Sequence, residues 1–235
     1  MPDHAYMAFL DILGYKEALD ADIKNGTQDF KERMVRAFRV FDQINQSRYA
    51  YQAISDSMFI SCPERDAVRE FLLILRNVFV SFLEEGLLIR GGVSFGQHFK
   101  NQNITYSPVL TKAYQLESQV AEFPRIMIDS NILEMFPSLL SDLLVLKSGN
   151  QWFLNIVTTE SFERVWTAAK AAHDANLSVI QKSERVRIKY HWLQDLLLEI
   201  GTKLHIDPPK TQYLGVFDDI EDPSAPMLCP ESANE

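Results

Sequence analysis

Residues 5–12 form a short apolar run followed at once by Gly14, the pattern of a buried strand that ends in a tight turn. From 29 to 46, Phe30, Met34, Phe38, Phe41 and Ile44 recur at helical spacing. The segment YAYQAISDSMFISCP then places two short apolar runs around Ser55, Asp56 and Ser57, which predicts a hairpin with a polar tip. A strong helical pattern covers 64–84, with Gly86 as its stop. Residues 87–95 read as a strand with Gly91 and Gly92 inside it, a pairing that marks a bulge or the close approach of another backbone or a ligand. A polar loop at 97–105, a helix at 109–121 and a buried strand at 124–129 complete the order β-α-β-β-α-β-α-β.

That alternation predicts an α/β sandwich, with a mixed sheet and helices on one face. Beyond it, LLVLKSGNQWFLNIV reads as a hairpin across Ser148, Gly149 and Asn150, and two helical stretches follow at 160–182 and 184–200. We divide the chain into a core (1–135), a hairpin and helical extension of the same domain (136–207), and an acidic, proline-containing tail (208–235).

The chain has 235 residues, 46% of them apolar and 11% aromatic, which is ample material for a core and excludes wholesale disorder. Its 23 Lys and Arg against 32 Asp and Glu give a net charge of −9. Such a surface argues against a nucleic-acid coat or an anionic-membrane binder, while leaving room for a local cationic pocket. No apolar run is long enough to insert in a membrane. Cys62 and Cys229, the only two cysteines, stand far apart with no metal-ligand spacing, so a reducing cytoplasm is the expected home. The five histidines are scattered, and neither a GxSxG context nor a P-loop appears.

Three charged side chains stand where an apolar pattern makes them conspicuous. Asp11 ends the first strand within FLDILGY, and Asp56 tips the hairpin within ISDSMF. Carboxylates on the ends of adjacent strands make an oxygen-rich site for hard divalent cations that handle phosphates. The plainer reading is that Asp11 caps the next helix and Asp56 is a turn residue. Arg90 precedes the glycine pair in an otherwise apolar strand, where a guanidinium needs an anion, either a phosphate or a carboxylate of the chain itself. The run QKSERVRIKY, with Lys182, Arg185, Arg187 and Lys189, reads as a solvated face or a contact to the acidic tail or a second subunit.

Together these segments resemble the class III nucleotidyl cyclases over residues 5–130. FLDILGY is similar to the FxDIxGF metal motif and ISDSMF to the second metal aspartate. RGGVSFG is similar to the RxGIxxG strand, and SPVLTKAYQLES to the GxxVNxAxRLE helix. The resemblance implies a ferredoxin-like mixed sheet, and a homodimer with active sites shared between two chains. It implies two Mg²⁺ or Mn²⁺ ions held by Asp11, Asp56 and the Ile12 carbonyl, with Arg90 on the β- and γ-phosphates.

The departures matter as much. Gln52 stands in place of the purine-reading lysine and Ile104 near that of its aspartate, while Tyr49 and Tyr51 flank the hairpin position as candidate base-stacking groups. The alternative for both tyrosines is an ordinary place on the other face of the strand. Thr111 and Gln115 replace the transition-state Asn and Arg, leaving Lys112 as a substitute cation. A stand-alone cyclase of this kind most resembles the Pycsar antiphage pyrimidine cyclases. That implies UTP, or alternatively CTP, as substrate, and a cyclic nucleotide that activates a separate effector. Two other readings stay open: a catalytically inactive nucleotide-binding module of the same fold, and an unrelated α/β protein.

Overall fold

The computed structural model describes residues 4–206. Strand β1 (His4–Ile12) alternates its side chains between two environments, and this alternation organises the molecule. Tyr6, Ala8, Leu10 and Ile12 enter the main core, whereas Met7 and Phe9 join a second, smaller cluster. Two helices follow, α1 (Tyr15–Asn25) and α2 (Asp29–Phe38), the latter continued by a 3₁₀ turn to Gln43. The hairpin consists of β2 (Ala50–Ile54) and β3 (Ser57–Cys62), and α3 (Val68–Glu84) leads into β4 (Ile89–Gln97).

A two-stranded ribbon, β5 (Phe99–Lys100) with β6 (Thr105–Tyr106), occupies the expected polar loop. Next come α4 (Pro108–Gln115), capped by Ser107, and a π-helical turn (Leu116–Val120). Strand β7 (Ile126–Ile128) is followed by α5 (Ser130–Met135), α6 (Ser138–Ser141), β8 (Val145–Ser148) and β9 (Gln151–Leu154). Helices α7 (Phe162–Ala175), α8 (Leu177–Ile180) and α9 (Glu184–Lys203) finish the described chain.

Seven strands form one mixed sheet in the order β2-β3-β1-β4-β7-β9-β8. All neighbours are antiparallel except β4 and β7, whose parallel pairing needs the α4 crossover. The C-terminal hairpin therefore extends the same sheet. The mixed α/β architecture expected from the sequence is the one observed. Residue 207 and the tail 208–235 lie outside the described residues, as does Cys229. Cys62 is buried and reduced. None of the described helices is long and apolar enough to cross a membrane.

One expectation is corrected, and of the alternatives for the glycine pair the close approach of another backbone is the one observed. Helices cover both faces of the sheet, because α4 lies on the side opposite the main core, with Val109 and Ala113 against Met7 and Phe9. The glycine pair of β4 admits the chain itself. A Cβ on Gly92 would run into the Ala113 carbonyl and come within 2.5 Å of Leu116 Cβ, so this glycine lets α4 and its π turn lie directly on the strand. Gly92→Ala should therefore cost about 1–3 kcal/mol in urea unfolding, since backbone rather than a flexible side chain must move. Unchanged stability would mean that α4 is free to lift away.

Candidate functional site

Register sets the site. Asp11 lies directly opposite Ser57 on one neighbour and Arg90 on the other. Side chains directly opposite each other point to the same face, so Asp11 and Arg90 share the α4 side with Phe9 and Gly92. The hairpin turn, with Ser55 at φ 59°, brings Asp56 alongside, and the Ile12 N–H donates to the Asp56 carbonyl at 3.0 Å. Strand end and turn are thus tied together by main chain, and Asp11 is no helix cap: the N-cap of α1 is Gly14, at φ 76°.

Arg90 Nε lies 3.3 Å from Asp11 Oδ2 and 2.6 Å from Glu117 Oε1. Glu117, on the π turn, is 2% exposed. Its Oε1 accepts no hydrogen bond, so the ion pair alone compensates that oxygen. Burial pushes the Glu117 carboxyl up to about 7 against the pull of Arg90, and Asp11 and Asp56 add to the rise. Burial also raises Asp11; Arg90 pulls it back, Asp56 raises it further, and Lys189 of α9 lowers it. Lys189 itself is driven below the ordinary lysine range by burial and by the positive charges of Arg185 and Arg90, against the pull of Asp11 and Glu17. One end of the sheet therefore collects Asp11, Asp56, Glu117, Arg90, Lys189 and Glu17.

No three His, Cys, Asp or Glu side chains among the described residues gather into a metal cage. The donor set that remains is two hard carboxylates, Asp11 and Asp56, close enough to act on each other electrostatically. Such a set fits Mg²⁺ or Mn²⁺, which take one or two carboxylates and complete their shell with water and phosphate oxygens.

The other expected site residues fall elsewhere. Tyr49 is 1% exposed and stacks on Phe71, and Tyr51 stacks on Phe41 at 4.6 Å. Both rings belong to the main-core side, because alternation along β2 sends Tyr51 away from the face that Gln52 shares with Phe59. Tyr49, sealed in the core, has no face free for a base, which corrects that expectation; Tyr51, 37% exposed, lies on the side of the sheet opposite Asp11. Gln52 is exposed on the edge strand, and Ile104 is 58% exposed in the β5–β6 turn, its N–H bonded to Asn101 Oδ1. Thr111 and Gln115, four residues apart on α4, both face outward. Lys112 is paired with the buried Asp129, so its ammonium already has an anion.

Sequence reasoning missed Glu117 and Lys189. Glu117 had a signal, since it continues the buried stripe of Val109 and Ala113 at four-residue steps. Lys189 had none before the docking of α9 was known.

No family model matches the chain, and no curated protein matches it in sequence. Among solved structures it is similar to the monomeric guanylyl cyclase domain of the RhoGC fusion protein of the aquatic fungus Blastocladiella emersonii. That match has 13% identity and a TM-score of 0.46, over 65% of this chain and 94% of that one. It is also similar to adenylate cyclases of Trypanosoma brucei in their monomeric state, at 12% identity and a TM-score of 0.48, over 67% and 91%. A third is the guanylate cyclase domain of RhGC from Catenaria anguillulae in complex with GTP, at 12% identity and a TM-score of 0.40, over 65% and 96%.

The Glu117 carboxyl gives the site a pH signature. Its folded value of about 7 stands above the ordinary 4.5, so between the two the folded chain keeps a proton that the unfolded chain has released. This stabilisation is complete below the unfolded value and is lost as pH rises through about 7. Urea unfolding from pH 4.5 to 8 should show wild-type stability falling, and Glu117→Gln should remove up to about 3 kcal/mol of that fall. Identical slopes for the two proteins would contradict the assignment.

Proposed function

We propose that this chain is a nucleotidyl cyclase dependent on Mg²⁺ or Mn²⁺. It closes a pyrimidine nucleoside triphosphate, UTP before CTP, to the 3′,5′-cyclic monophosphate and pyrophosphate. The observation that carries this reading is the meeting of Asp11, Asp56 and Arg90, from three segments of the chain, at one end of the sheet. It is joined to the four motifs that resemble class III cyclases in order and interval. In the reaction the 3′-oxygen forms a bond to the α-phosphorus, the bond from that phosphorus to the β-phosphate oxygen breaks, and the hydroxyl proton leaves to solvent. Divalent ions bound by Asp11, Asp56 and the Ile12 carbonyl supply the neutralisation of triphosphate charge that such a transfer needs.

The chain's own groups position the substrate. Arg90, steered by Glu117 and Asp11, presents its guanidinium to the β- and γ-phosphates. Thr111 and Gln115, exposed on α4, are the groups a homodimer would offer to the site of the second copy. Gln52 reads the base. An amide carries both a donor and an acceptor, and by turning over it matches the edge of uracil or of cytosine. The missing lysine and carboxylate at positions 52 and 104 disfavour purines. With Tyr49 buried in the core and Tyr51 turned away from the face of Gln52, the preference for UTP over CTP rests on the resemblance alone. The cyclic product would serve as a cytoplasmic second messenger that activates a separate effector in antiphage defence.

Incubation with each of the four NTPs and Mg²⁺ or Mn²⁺, read by mass spectrometry, tests the reading. Cyclic UMP and pyrophosphate are expected, with cyclic CMP as the second product. EDTA should abolish turnover, and Asp11→Asn or Asp56→Asn should each lower it by about 100-fold or more. Tight nucleotide binding without a cyclic product from any NTP would overturn catalysis and leave the inactive nucleotide-binding module.

A further inference from the structure

Helix α9 lies outside the segment that resembles the cyclases, yet it is anchored at the site's end of the sheet. Trp192 stacks flat on Phe123 at 5.3 Å, and Arg125 sits over the same indole at 5.5 Å. The Arg125 carbonyl accepts the N–H of Gly91, the residue after Arg90, at 2.9 Å. Tyr190 is buried beside His173 of α7. These anchors hold Lys189, the residue before Tyr190 and one turn before Trp192, half-buried within electrostatic reach of Asp11, Arg90 and Glu17. Arg185, four residues earlier, lies on the same side of the helix.

Among the described residues no salt bridge engages Lys189, although carboxylates stand nearby. A half-buried ammonium with two guanidinium groups in electrostatic reach is an unfavourable arrangement unless an anion joins it. A divalent cation on Asp11 would sharpen that need by cancelling one of the two charges, Asp11 and Glu17, that now balance the lysine.

We propose that Lys189, supported by Arg185, is a polyphosphate-binding group of the Asp11 site, by which the C-terminal extension grips the terminal phosphates of the substrate and the pyrophosphate it releases. The inference relies on the cyclase reading for the identity of the substrate, but not for the chemistry of the anion. The extension thereby gains a role, because phosphate binding is completed by a helix that the cyclase-like segment lacks.

The full-length chain is titrated with inorganic pyrophosphate and with tripolyphosphate, both with Mg²⁺, by isothermal calorimetry. Lys189→Gln should weaken both about tenfold or more, Arg185→Gln about threefold, and Lys189→Arg should stay within about threefold of wild type. Thermal melting checks that each variant is folded, and Lys189→Arg keeps the test open if the Gln variant is not. In NTP kinetics Lys189→Gln should raise KM more than it lowers kcat. Equal pyrophosphate affinity in wild type and Lys189→Gln, or none in wild type, would overturn the inference. Lys189-dependent pyrophosphate binding with no NTP cyclised would instead overturn the cyclase reading and leave the anion site standing. Normal cyclisation with Lys189→Gln unaffected would do the reverse.

Discussion

A guanidinium held between two carboxylates fixes the geometry on which the site depends. Arg90 is kept on the strand by its register with Asp11 and kept upright by Glu117, which reaches it because Gly92 lets the π turn lie on the sheet. Burying an arginine is costly unless anions meet it, and breaking such a group by removing one partner costs more than the pair contributes. The same three side chains therefore lock α4 to the sheet and set the charge at its end. The buried carboxylate does not lie fully at ease. Its raised pKa records that burial outweighs the pull of Arg90, and that Asp11 and Asp56 add repulsion.

That residual repulsion gives the arrangement a direction. Two aspartates that raise the proton affinity of their neighbourhood form a place where positive charge is welcome. Beside them, Arg90 and Lys189 are cations with more positive charge nearby than they would meet in water. The proposed metal–polyphosphate complex would answer both needs at once, with the metal on the aspartates and the phosphates on the cations. On the proposed reading the net charge of −9 is compatible with anion binding, because recognition would be confined to one end of the sheet.

What the sequence disclosed follows from how far each feature depends on distant packing. Asp11, Asp56 and Arg90 were legible because each interrupts an apolar strand or sits in a turn, and strand register does the rest. Tyr49 gave no local sign of its burial, while alternation alone keeps Tyr51 and Gln52 from sharing a face. Helix α1 escaped notice because it buries no residue and so carries no apolar stripe. The short ribbon and helices α5 and α6 span too few residues for periodicity to register. Lys189 looked like part of a solvated basic face. Only the docking of Trp192 and Tyr190 turns that stretch of α9 toward the carboxylates, and no local pattern encodes such a contact.

The central claim is that Asp11 and Asp56 act as one divalent-cation site completed by a triphosphate. Electron paramagnetic resonance of Mn²⁺, titrated into the protein with a non-hydrolysable UTP analogue, tests it directly. The account predicts saturable Mn²⁺ binding that tightens when the analogue is present and weakens about tenfold or more in either Asp11→Asn or Asp56→Asn. Mn²⁺ binding that is indifferent to both substitutions would contradict it.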